Sequence, residues 1–217
     1  MSSTLASIKM KILNTAAKIT ATFLIFQVLF GCMILRGRLI PPVTILPDKA
    51  IHAQKQNVFI EPHFHGFIKG INTEPVESVM QNNFIKKRVK TITERSKAFD
   101  SYTFDKSAGK DITHTLQIDF LDYTDETNAS IQRKAMFSGF TLGLIPFSVK
   151  DKYRLTAKLS DSAGNEIKTY VYEDYVKTWV DIVLLPAFFI THGAPVKVID
   201  NMIMNLYRDI RDDSNRK

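Results

Sequence analysis

The sequence predicts an α+β fold: a single domain in which an antiparallel sheet packs against an N-terminal and a C-terminal helix. Two patterns and their order predict it. Residues 112–123 and 153–177 alternate apolar and polar side chains, the two-residue period of strands buried on one face. Residues 73–92 and 195–211 repeat apolar side chains every three or four positions, the period of amphipathic helices. The order strand, helix, several strands, helix keeps the two kinds of element apart, which is the α+β arrangement.

Composition permits such a domain and excludes other classes. The chain has 217 residues, 45% apolar and 24% charged. These are globular values, not those of a disordered chain or a multi-span membrane protein. The single cysteine excludes a disulfide framework and a cysteine-built zinc site. The formal charge of +7 is unevenly placed. Lys9, Lys11 and Lys18 are the only charges before Cys32, so 26 basic and 22 acidic residues follow it.

The N-terminal segment has the layout of a secretory signal. Lys11 and Lys18 make a basic region, and residues 19–30 are apolar apart from Thr20, Thr22 and Gln27. Leu29-Phe30-Gly31-Cys32 closes the segment and resembles the lipobox of bacterial lipoproteins. The resemblance implies a leader cut before Cys32 and a lipid on the Cys32 thiol. Leu29 and Gly31 fit the pattern; Phe30 departs from it, because a small or β-branched residue is usual there. The implied organisation is a signal peptide over 1–31, a lipidated cysteine and Pro-containing tether over 32–56, and a periplasmic domain over 57–217. Met33 is no acidic retention signal, which favours the outer membrane. A second reading keeps residues 19–35 as a single span, 17 residues against the roughly 20 needed to cross a bilayer. Both readings put the domain beside a membrane of the cell envelope.

The other elements follow in order. Pro41, Pro42 and Pro47 make residues 33–56 a semi-stiff tether. Residues 57–68 form a first strand, and Pro62 makes it an edge or irregular one. Thr73-Glu74-Pro75 starts a helix with Val76, Val79, Met80 and Phe84 at helical spacing. Its basic side carries Lys86, Lys87, Arg88, Lys90 and Arg95, the pattern of a solvated face. Residues 99–104 give a short strand. In residues 112–123, Ile112, His114, Leu116, Ile118 and Phe120 share one face. Residues 132–141 read as a further strand. Residues 153–160 and 166–177 form a hairpin about the turn Asp161-Ser162-Ala163-Gly164-Asn165. The last helix buries Val198, Ile199, Met202, Ile203, Leu206 and Ile210 and ends in a polar tail.

Two apolar stretches stand apart. Residues 137–149 carry no charge, and residues 179–190 carry only Asp181. They serve as buried core, or as an apolar patch touching lipid or an envelope protein partner. In the second case Phe140, Leu144, Pro146, Trp179, Pro186, Phe188 and Phe189 make the contact, aromatic rings being suited to the membrane interface. The block from Gly139-Phe140-Thr141-Leu142-Gly143-Leu144-Ile145-Pro146 to Leu185-Pro186 is similar to a pattern in bacterial envelope lipoproteins of unassigned function. It includes Tyr153, Asp161, Gly164, Tyr170, Asp174 and Trp179, and implies location and fold rather than chemistry. At the level of element order the chain is also similar to periplasmic accessory domains of the TolB amino-terminal type.

Motifs for catalysis are lacking. There is no G-x-S-x-G, H-E-x-x-H, P-loop or G-x-G-x-x-G. The expectation is a non-catalytic protein without a cofactor. Glu61, His63 and His65 alternate, so a regular strand places all three on one face, where they are candidates for a divalent transition metal. His114 or His192 would complete that set; solvent-facing polar residues are the plainer reading. Asp119, Asp122, Asp125 and Glu126 read as solvated faces and turns. The basic stretch of this helix, residues 86–97, has no aromatics for stacking, which argues against a nucleic-acid partner.

Overall fold

The computed structural model describes residues 18, 31–43, 57–68, 71, 74–107, 112–141, 145–181 and 193–214. Among these the elements run β1 (Gly31–Arg36), β2 (Asn57–Ile68), β3 (Val76–Glu77), α1 (Val79–Ser96), β4 (Ser101–Thr103), β5 (His114–Thr124), α2 (Asn128–Phe140), β6 (Phe147–Asp161), β7 (Glu166–Asp181) and α3 (Ala194–Ser214). The strands form one sheet ordered β1-β7-β6-β5-β2-β3, with β4 also beside β2.

The α+β class holds, but the sheet is mixed. β2 runs parallel to both β4 and β5. The cause is the connection: α1 carries the chain back along the sheet, so β5 sets out in the direction of β2. The other main pairs, β5–β6, β6–β7 and β1–β7, are antiparallel.

Alternation assigns the faces as expected. Ile60 and Phe64 of β2 lie opposite Leu116 and Phe120 of β5, which lie opposite Leu159 and Leu155 of β6; Val58, Ile118 and Ala157 share the same buried face. α1 and α3 cover this face and pack on each other. α1 buries Ile85, Val89 and Ile92. α3 buries the six predicted side chains and also Tyr207, whose hydroxyl lies 2.7 Å from Thr93 Oγ1 in the core. The opposite face holds Glu61, Gln117, Arg154 and Glu173 and stays wet.

Pro62 explains the irregular edge. β4 pairs with residues 57–59 of β2 and β3 with residues 65–66, which leaves a gap beside Pro62. The missing proline N–H has no ladder to serve there. The Phe64 N–H at the same gap donates to Asn82 Oδ1 of α1 at 2.5 Å, so a helix side chain stands in for a strand.

Four expectations are corrected. α1 starts later than predicted: Ser78 is its N-cap, while Val76 and Glu77 pair as β3. The stripe of Val76, Val79, Met80 and Phe84 is exposed, because residues 85, 89 and 92 are the set that faces the sheet. Residues 132–141 are helical, not a strand: Thr127 caps α2 by accepting from the Ser130 N–H at 3.2 Å. Residues 33–43 are no free tether. β1 lies against β7 with Cys32 opposite Val180 and Met33 opposite Trp179. Beyond β1, Ile40 is buried. Asn201 Nδ2 donates to the Ile40 carbonyl at 3.0 Å, Asn205 Nδ2 to the Pro41 carbonyl at 2.9 Å, and the Val43 N–H to Asn201 Oδ1 at 3.1 Å. Gly37 lies so close to the Tyr175 ring that a Cβ there would sit 2.4 Å from it. The rest of the tether, residues 44–56, lies outside the described residues.

Candidate functional site

Strand direction gives the sheet two poles. At one, β2, β5 and β7 end while β1 and β6 begin, with Gly31 opposite Asp181 and Phe147 opposite Val180. At the other, the β6–β7 hairpin turns through Gly164 at φ +86°, held by Asp161 Oδ1 accepting from the Ala163 and Asn165 N–H groups.

The first pole holds a cleft of about 520 Å³ between the start of α1, α2 and the strand ends. Phe67, Val76, Tyr123 and Ile131 supply its apolar wall, and Gln81, Asn128, Asp122 and Asp151 its polar groups. Asp122 follows Phe120 by two residues, so it takes the buried face of β5, opposite Tyr153. Burial, and then the charge of Asp151, push its carboxyl up to about 7. Burial, and then Glu126, raise Asp151 as well. The Tyr153 hydroxyl is driven far above its ordinary range by burial, Asp122 and Asp151. Among the described residues no Lys or Arg forms an ion pair with Asp122 or Asp151; Lys134 is taken by Glu126 and Lys152 by Asp125. The cleft therefore combines an apolar wall with two carboxyls, Asp122 and Asp151, whose hold on a proton is strengthened by burial and by the neighbouring acids. Reading these acids as solvated missed this. The period-two count along β5 was the available signal, since it puts residue 122 on the face of Leu116, Ile118 and Phe120.

Of the residues predicted to carry or touch lipid or to touch a partner, Cys32, Pro146 and Trp179 fall at the same pole. Cys32 is the second residue of β1, one position from the pole. Phe140 ends α2 and is 77% exposed; Pro146 is exposed just before β6. Trp179 lies near the end of β7, with the Lys177 ammonium 4.2 Å from its ring centre. Leu144, Pro186, Phe188 and Phe189 lie outside the described residues.

The metal candidates come only partly together. Glu61, His63 and His65 do alternate along β2. His63 lies between two carboxylates, 3.6 Å from Glu61 and 3.7 Å from Glu77 of β3. Among the described residues no three His, Cys, Asp or Glu side chains gather as a metal site. His114 sits at the other end of β5, with Nδ1 2.9 Å from Thr113 Oγ1, and His192 lies outside the described residues. The basic side of α1 is exposed except at Arg88, which pairs with Asp200 of α3, its Nε 3.0 Å from Asp200 Oδ1.

No family model matches the chain, and no curated protein does. Among solved structures it is similar to a minor lipoprotein from Acinetobacter baumannii, with 11% identity and a TM-score of 0.41 over 75% of this chain and 95% of that one. It is also similar to a Helicobacter pylori protein named as a candidate homologue of a neuraminyllactose-binding hemagglutinin, with 13% identity and a TM-score of 0.36 over 80% of this chain and 98% of that one. Among the described residues no helix is long and apolar enough to cross a membrane.

Proposed function

We propose that this chain is a membrane-anchored lipoprotein of the bacterial envelope, a non-catalytic binding or assembly component whose domain faces the periplasm. The position of Cys32 carries the reading. The lipobox-like Leu29-Phe30-Gly31-Cys32 runs directly into β1, and the lipid-bearing cysteine falls at the pole that also holds the cleft. A lipid on Cys32 holds that pole at the bilayer with almost no spacer, because the chain joins the sheet at once. The cleft, with its apolar wall and acid pair, is the place for a ligand that carries apolar surface. The outer membrane is the favoured location, since Met33 follows the cysteine.

Metabolic labelling with palmitate tests this. The wild-type chain takes up label, and Cys32→Ala abolishes it. An unlabelled wild-type chain that stays in the membrane fraction would instead mean that the apolar segment before β1 is retained as the anchor, in place of a span over 19–35, whose last residues belong to β1.

A further inference from the structure

We infer that the pole at which β1 begins is a bilayer-contacting surface, built from the start of α1 and the end of α2. Val79 and Met80 open α1 and are 77% and 82% exposed. Met136, Phe137 and Phe140 lie on the last turns of α2 at spacings that share one helix side, and Ile145 follows. All six are large and apolar, and all are exposed. Ser78 and Gln81 beside the first pair, and Asn128 and Ile131 of α2, line the cleft at this pole, and Ile145 leads into the start of β6 there. Single exposed apolar residues are ordinary, but several on elements that meet at one cleft mark a contact surface. The opposite pole ends in Ser162, Gly164 and Asn165.

The occupant follows from where the chain comes in. The apolar residues 19–30 join the sheet at Gly31, on this same pole. If the leader is removed, the lipid on Cys32 leaves from here; if it is retained, its apolar segment leaves from here. Either anchor holds the exposed set against a bilayer. Trp179, beside Met33 in the register, adds an aromatic ring under the Lys177 ammonium, the pairing that suits headgroup depth. The side chains are aromatic, thioether and aliphatic groups on two helix ends and on the segment leading into β6, a form that suits a fluid apolar phase.

The chain's only tryptophan makes the test direct. In a Trp179→Phe background, a reporter is placed by Met80→Trp, Phe137→Trp or Phe140→Trp, with Asn165→Trp as the far-pole control. The full anchored chain is purified from membranes. It is then reconstituted into vesicles of phosphatidylethanolamine and phosphatidylglycerol bearing brominated acyl chains. Quenching should be at least two-fold at the three near-pole positions and negligible at residue 165. Equally weak quenching at all four, on protein that floats with the vesicles, overturns the bilayer contact and leaves the anchor standing. The proposal rests on the membrane-anchored reading, so protein that fails to float defeats both. The palmitate label then shows which anchor was lost. The reporter positions are exposed, and matching thermal transitions confirm that each variant is folded.

Discussion

Burial and the neighbouring Asp151 raise the Asp122 carboxyl to about 7 from an ordinary 3.8, and this reverses the usual pH dependence of an aspartate. The folded chain holds a proton that the unfolded chain has given up between about pH 4 and pH 7. Stability is therefore fullest below pH 4, as far as this group is concerned, and is lost as the pH rises through 7. At 1.36 kcal/mol per pK unit the limit is roughly 4 kcal/mol, and water in the open cleft lowers it. Asp122→Asn removes the penalty. Urea unfolding should find the variant more stable than wild type at pH 8 and nearly equal at pH 4; equal stability at both would mean that Asp122 ionises freely. Asp125, three residues on, is exposed and ion-paired with Lys152, so two acids of one sequence cluster have opposite environments. Composition cannot separate them. The pleat can, because residue 122 continues the buried side of β5 and residue 125 lies beyond the strand.

α3 shows what a helical pattern reveals and what it hides. All six apolar positions read from its period are buried, because that side of the helix packs on the sheet. Asn201 and Asn205 were invisible in that reading because amides on a helix usually face water. Here both are buried, and they hold the carbonyls of Ile40 and Pro41. Asn201→Ala leaves the Ile40 carbonyl and the Val43 N–H without that partner. It should cost about 1–3 kcal/mol in urea unfolding. A change below about 0.5 kcal/mol would mean that the clamp is ornamental. α2 failed for a different reason. Residues 132–141 show loose alternation, but Thr127 caps the segment five residues earlier, and the cap decided the helix. α2 buries only Ser138, so it has no apolar stripe from which a helix could be read.

For the whole molecule, the largest change from the sequence reading is that the expected tether is partly a piece of the domain. A chain starting at Asn57 loses β1 and the seat of Ile40, and it bares the β7 edge to other chains. It should melt lower than a chain starting at Gly31, by roughly 3 kcal/mol or more from lost apolar burial and edge hydrogen bonds. It should also self-associate in sedimentation velocity. Equal melting and a monomeric state would restore residues 31–43 as a spacer.

The α+β class, most strands, the two packed helices and the wet and dry faces of the sheet were all legible in local patterns. Each depends on spacing within a dozen residues, and local periods record it. Only the tertiary structure decided which distant segments share a pole. Cys32 meets Val180, Asp122 comes near Asp151, and Gln81 and Ile131 line one cleft. Those meetings follow from strand direction and register, set by where α1 turns the chain to make β2 and β5 parallel and by which edge β1 joins. No local pattern carries that information, because the residues involved are tens to more than a hundred positions apart.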